Sequence, residues 1–176
     1  MDATLKVASI STRIEGDVMN WQEVCEHPSL KDLPFKIELN EYGEIVMSPV
    51  KVNHSAYQGE ILRLLNKMLT KGRTLVECAI STRKGTKVAD AAWASQQRFE
   101  QMRGQIESPI APEICVEVVS SGNTKREIRE KQKLYFEKGA KEVWTCNEGG
   151  TMAFYNSNGQ LEHSNLVPKF PDHIEI

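Results

Sequence analysis

The chain has 176 residues, 40% hydrophobic and 26% charged, with a formal net charge of -2. This fits one globular domain with a real core and leaves little room for a second, and no apolar run nears the roughly 18 residues that would span a bilayer. No basic-then-apolar leader opens the chain, so a soluble, cytoplasmic protein is expected, without the strong basic excess of proteins whose main task is holding nucleic acid.

The first twenty residues have no sustained periodicity and read as an N-terminal arm, with a domain over 21–176. Asn20 is placed to cap a short helix, Trp-Gln-Glu-Val-Cys-Glu, which stops near Pro28. FKIELNEYGEIVMSP alternates apolar and polar residues about a turn at Asn40 to Gly43, a β-hairpin pattern ended by Pro49. From Asn53 the period changes. Tyr57, Ile61, Leu64, Leu65 and Met68 recur at helical spacing, with His54 at the start of that face and Gly72 read as the helix stop. TLVECAI and KVADAAWA read as strands about a Lys84-Gly85 turn, and SQQRFEQMRG as a short helix ending in Gly104.

Pro109 and Pro112 lead into the strand ICVEVV. Thr124 and Glu127 then have capping-box spacing, opening a helix marked by Ile128, Gln132, Tyr135 and Phe136 that runs to about Gly139. KEVWTCN, TMAFYN and a weaker QLEHSN follow as short strands, with HIEI as a final edge strand. This order predicts an α/β or α+β sandwich around a mixed sheet. Cys25, Cys78, Cys115 and Cys146 lack CxxC or Cys/His ligand spacing, so neither a zinc site nor a disulfide framework is expected.

Two carboxylates interrupt this pattern. Glu117 lies among isoleucine, cysteine and valines, on the strand face that alternation assigns to Cys115 and Val119. An unpaired buried carboxylate is costly. Two readings therefore stand side by side: Glu117 pairs with a lysine or arginine or faces a wet cleft, or it ligates a cation. Asp90 repeats the anomaly in KVADAAWA, and the two could converge on a hard divalent ion, Mg2+ or Mn2+, through oxygen ligands. On the next helix Glu127, Lys131 and Tyr135 share one face at i, i+4 and i+8. The Lys131 stem can cross the apolar face toward the strand, or its ammonium can pair with Glu127 in solvent.

The ordered set ELNEYGEIVMSP, a helix-opening His54, an Asp-bearing strand, EVVSSGNT, the Glu127-Lys131-Tyr135 spacing, Gly139 and KEVW resembles the Uma-two family of restriction-endonuclease-like proteins. That family belongs to the PD-(D/E)XK nuclease superfamily, and the resemblance runs from about Trp21 to Phe154. It implies a restriction-endonuclease-like core in which Asp90 and Glu117 bind the metal. The superfamily lysine normally stands two residues after the glutamate, where this chain has Val119; the family pattern makes Lys131 its migrated equivalent. Glu38 matches the acidic residue before the hairpin turn and His54 the helix-opening histidine, so either can complete the site. For His54 a place in the core is the alternative. Glu44 and Glu60 are lesser candidates. The sequence departs from the pattern at Ala89, where proline is usual, and at Glu127, where aspartate is more common.

The function implied is a metal-dependent endonuclease, acting on DNA through Lys84, Lys87, Lys125, Arg126, Arg129 and Lys133 as backbone contacts. A near-neutral net charge allows this, because such enzymes gather carboxylates at their ions. The alternatives are an inactive nucleic-acid-binding or regulatory module on the same scaffold, and an enzyme of another phosphate ester. Analogy with nucleases that cut two strands adds a homodimer.

Overall fold

The computed structural model describes residues 18–176. Residues 1–17, most of the arm expected over 1–20, lie outside the described residues. Helix α1 (Trp21–Glu26) has the expected Asn20 cap, completed as a capping box by Glu23, and a 3-10 turn follows at Pro28–Leu30. Strands β1 (Phe35–Leu39) and β2 (Ile45–Pro49) form an antiparallel hairpin that is a two-stranded sheet of its own.

Helix α2 (Val52–Met68) leads into the long strands β3 (Gly72–Thr82) and β4 (Gly85–Ser95), then α3 (Gln96–Met102), capped by the Ser95 hydroxyl. After them come β5 (Ile114–Val118), α4 (Lys125–Glu137), β6 (Glu142–Cys146), β7 (Met152–Asn156) and β8 (Gly159–Leu161). Strands β3 to β8 lie side by side in chain order in one mixed sheet. Only β5 and β6 are parallel, which is why a helix, α4, must intervene between them.

Each face of the sheet has its own core. Ile114, Val116 and Val118 pack with Tyr57, Ile61 and Leu65 of α2 and with Trp144 and Phe154, whereas Cys115 packs with Tyr135 of α4, Ala89 and Val143. This is the alternation expected for β5, with a helix covering each face. No helix among the described residues is long and apolar enough to cross a membrane.

Three boundaries differ from the sequence reading. Helix α2 ends at Met68, and Gly72 opens β3 instead of stopping the helix. A Cβ at Gly72 would stand 2.4 Å from the Ala94 carbonyl oxygen and 2.6 Å from the Trp93 ring, so close strand packing accounts for that glycine. QLEHSN contributes only Gly159–Leu161, because the Asn165 and Leu166 N–H groups turn to the Glu142 carboxylate. HIEI is not a strand: His173 makes a single bridge to Thr151, while Ile174 is buried in the core. Pro168 and Pro171 leave this last segment short of ladder donors.

Gly85 fixes the hairpin against the sheet. Its φ is +78°, and a Cβ there would lie 2.4 Å from the Asn40 carbonyl oxygen and 2.5 Å from that of Leu39. Gly85→Ala is therefore expected to cost about 1–2 kcal/mol in backbone strain alone, plus the displacement of β1, read as a fall in thermal unfolding midpoint.

Candidate active site

The site forms where β4 and β5 separate. Their bonded register runs Trp93↔Ile114, Ala92↔Cys115, Ala91↔Val116 and then stops. One step further the same register sets Asp90 opposite Glu117, and opposite residues of an antiparallel pair point to the same face. Past the last pair, the Val118 N–H donates to Asp90 Oδ2 at 2.7 Å, so a side chain takes over where the ladder ends. On its other edge Asp90 is also released from pairing. Val76 and Cys78 of β3 pair with Ala91 and Ala89, but Glu77, at φ +50°, does not pair with Asp90, whose carbonyl accepts from the Gln58 amide of α2.

Three further elements converge on this fork. In β1, Lys36 and Glu38 are two residues apart and share a face; the Lys36 ammonium lies 2.8 Å from Asp90 Oδ1, 3.5 Å from Glu117 Oε2 and 3.9 Å from Glu38 Oε1. Helix α4 delivers the Lys131 ammonium to 2.7 Å from Glu38 Oε1 and 2.9 Å from Glu117 Oε2. One turn on, the Tyr135 hydroxyl donates to Glu117 Oε1 at 2.6 Å. Helix α2 places His54 Nε2 3.2 Å from Asp90 Oδ1. Glu38 is held from the sheet side, where its Oε1 accepts from the Val88 N–H at 2.7 Å.

Asp90 and Glu117 are only 2% and 3% exposed, so these partners decide their ionisation. Burial opposes the charge on Asp90, but the Lys36 ammonium and the His54 contact outweigh it and hold the carboxyl well below the usual range. Glu38 is also lowered, its burial overcome by Lys131 and Lys36. At Glu117 burial prevails over the same two ammoniums, with Asp90 and Glu38 adding repulsion, and its pKa is raised. Burial would lower the pKa of Lys36, yet Glu117, Asp90 and Glu38 raise it, so the ammonium stays charged. Burial, then Glu117, pushes the Tyr135 phenol well up, which keeps it a donor.

The donor set fits a small hard cation. Among the described residues no three His, Cys, Asp or Glu side chains surround a common point. Two carboxylates are nevertheless the usual protein share of a magnesium site, the remaining positions going to water and substrate phosphate. The inward oxygens of both, Asp90 Oδ1 and Glu117 Oε2, already face one positive group, Lys36.

Residues 21–172 match a protein family described as "Uma2: Putative restriction endonuclease". The chain belongs to the Uma2 family. Among solved structures, one that resembles it comes from Anabaena variabilis and is described as "a putative nuclease belonging to DUF820". The two share 18% identity at a TM-score of 0.59, over 77% of this chain and 73% of that one. At that identity the likeness speaks for the fold, a mixed sheet flanked by helices. No curated protein matches the sequence.

In this Uma2 chain the residues singled out from sequence divide into three groups. Glu38, His54, Asp90, Glu117 and Lys131 come together as described. Glu127 stays at the start of α4, where it completes the capping box with Thr124 and makes no bond to Lys131. Glu44 bonds Asn40 and Glu60 pairs with Arg63, both away from the cluster. Of the six basic candidates, Lys125, Arg126, Arg129 and Lys133 are exposed on α4. Lys84 instead pairs with Glu130 and lies 3.7 Å from Glu41, and Lys87 donates to the Leu39 carbonyl at 2.9 Å.

Sequence reasoning missed Lys36 as a member of this site. The available signal was its i, i+2 relation to Glu38, which puts both on one face of the hairpin strand. Tyr135 and Gln58 were also missed as partners, Gln58 being one turn beyond His54. The Tyr135 bond gives a direct test. Tyr135→Phe leaves Glu117 Oε1 without its fixed donor, and if Glu117 ligates an ion, losing such an outer partner typically costs about 10- to 100-fold in metal affinity or activity. A loss of that size in Mn2+ affinity, measured by calorimetry, is expected with little change in secondary structure.

Proposed function

We propose that the chain is a metal-dependent endonuclease that hydrolyses phosphodiester bonds, with DNA as the substrate, in one domain over residues 21–176. The observation that carries this reading is the opposed pair Asp90 and Glu117 at the β4–β5 fork, with the Lys131 ammonium 2.9 Å from Glu117. Asp90 and Glu117 would hold Mg2+ or Mn2+, with Glu38 or His54 at the margin of the same site. A bound ion supplies a Lewis acid that polarises the phosphate and acidifies water.

The protein's own groups do the rest. Val118 N–H and Tyr135 OH each hold an outer carboxylate oxygen, so the inner oxygens are aimed before substrate arrives. Lys131 sits between Glu38 and Glu117, positioned to orient the attacking water or to stabilise negative charge as it develops on the phosphate. His54, partly exposed at the start of α2, faces Asp90 Oδ1 through Nε2 at 3.2 Å, so a proton it accepts or returns passes through Nδ1. The exposed cations of α4 supply sequence-independent contacts to the backbone.

The test is cleavage of single-stranded, double-stranded and branched DNA with Mg2+ or Mn2+ by the wild type and by Asp90→Ala, Glu117→Ala and Lys131→Ala. Metal-dependent cleavage lost in the two carboxylate variants is expected; undiminished activity in all three would remove the site assignment. One observation favours a second reading, an inactive nucleic-acid-binding module: the Lys36 ammonium already lies across the carboxylate pair, and Lys131 pairs with Glu117. Binding without cleavage would support that module.

A further inference from the structure

Lys36 is the residue that neither the sequence pattern nor the proposed chemistry accounts for. Both buried carboxylates have one oxygen fixed by a neutral donor: Val118 N–H on Asp90 Oδ2 at 2.7 Å and Tyr135 OH on Glu117 Oε1 at 2.6 Å. Their other oxygens, the ones left for a cation, face the Lys36 ammonium at 2.8 and 3.5 Å. Lys131 shares Glu117 Oε2, at 2.9 Å, and bridges it to Glu38 without an ion pair to Asp90, so among the described residues Lys36 is the ammonium that spans both carboxylates. Lys36 therefore takes the position of the ion itself.

We infer that Lys36 is a built-in counter-cation: its ammonium closes the Asp90–Glu117 pair in the ion-free protein and is displaced when a divalent cation loads. This rests on the reading of that pair as a metal site. Two buried carboxylates cannot sit unpaired at low cost, so some cation must be present before metal arrives. Lys36 meets that need from the hairpin, an element outside the main sheet, on a flexible four-carbon stem. There is room for it to withdraw. A cavity of about 40 Å³ adjoins Asp90, its lining including Lys36, His54, Gln58 and Glu77, large enough for a group of water size. Glu77 is exposed on that wall, and its carboxylate offers the displaced ammonium a new partner. Loading is then an exchange of one cation for another, which keeps the site from standing open as an uncompensated acidic pocket.

Exchange predicts a gain, where a supporting role predicts a loss. A site occupied by its own ammonium for most of the time binds metal with an apparent affinity reduced by the unoccupied fraction. Lys36→Met and Lys36→Gln are expected to bind Mn2+ at least about tenfold more tightly than the wild type, because the ammonium no longer competes. The measurements are titration calorimetry and loss of the free-Mn2+ electron paramagnetic resonance signal, with Asp90→Asn as the control that removes a ligand. The ion-free variants should also melt below the wild type and gain more in melting temperature when Mn2+ is added. The glutamine variant keeps the test open if the methionine variant does not fold. Wild-type binding as tight as, or tighter than, that of both Lys36 variants overturns the exchange and leaves the metal site standing. No binding by wild type or either variant into the millimolar range overturns the metal reading and the exchange together.

Discussion

On the nuclease reading proposed above, Asp90→Asn is expected to lower metal-dependent DNA cleavage by at least about a hundredfold while the protein remains folded. The exchange is nearly isosteric, and the amide oxygen can keep the bond from the Val118 N–H that Asp90 Oδ2 now accepts at 2.7 Å. The Gln58 bond is made to the Asp90 backbone carbonyl, so it survives as well. What changes is the inner position. An amide nitrogen, a donor, replaces the oxygen that faces Lys36 at 2.8 Å and His54 at 3.2 Å, and a full negative charge is lost. A hard divalent ion has no use for that amide nitrogen. Cleavage rates with Mg2+ and Mn2+, Mn2+ affinity and far-UV circular dichroism together check the result. Activity within a few-fold of wild type, with an intact spectrum, would move the metal away from Asp90.

Lys131 and Glu127 were legible because helical spacing is local. The capping box fixes the start of α4, and from there the i, i+4 rule sets the face on which Lys131 stands. Asp90 and Glu117 were legible one at a time, as charges inside apolar strands. That they oppose each other is a matter of register between β4 and β5, decided by long-range pairing that periodicity does not encode. Lys36 was harder still. A lysine in an alternating hairpin reads as solvent-facing, and only the docking of β1 beside β4 turns it inward, where Lys87 donates to Leu39 and Val88 to Glu38. Gly72 misled for a related reason: a glycine after a helix resembles a terminator, but here it makes space for the Trp93 ring.

Glu142 shows why burial of a carboxylate is not by itself a sign of a metal site, and its removal is expected to be among the most destabilising changes to the fold. It is 2% exposed in β6, in KEVW, a setting that in sequence looks much like that of Glu117. Its partners are different in kind. Oε1 accepts from the Asn165 and Leu166 N–H groups at 2.7 and 3.0 Å, and Oε2 from the Trp144 indole at 2.7 Å and the Ser164 hydroxyl at 2.6 Å. Every donor is neutral and fixed, so the carboxylate is fully used in tying the C-terminal segment to the sheet. That segment carries Phe170, whose ring packs 4.6 Å from Trp144, and Val167, also buried. Glu142→Ala strands four donors and leaves a void, which should cost about 3–5 kcal/mol and lower the melting temperature by about 10 °C. Glu142→Gln should cost less, about 1–3 kcal/mol. Its amide can turn toward Ser164, which can rotate to accept, leaving chiefly the Trp144 N–H opposed. Denaturant and thermal unfolding separate the two variants; equal costs would mean that the hydrogen bonds do not decide the effect. The contrast with Glu117 then becomes measurable: on the metal reading, added Mn2+ should raise the melting temperature of the folded Glu142 variants as much as that of the wild type, because that reading places no ion at Glu142.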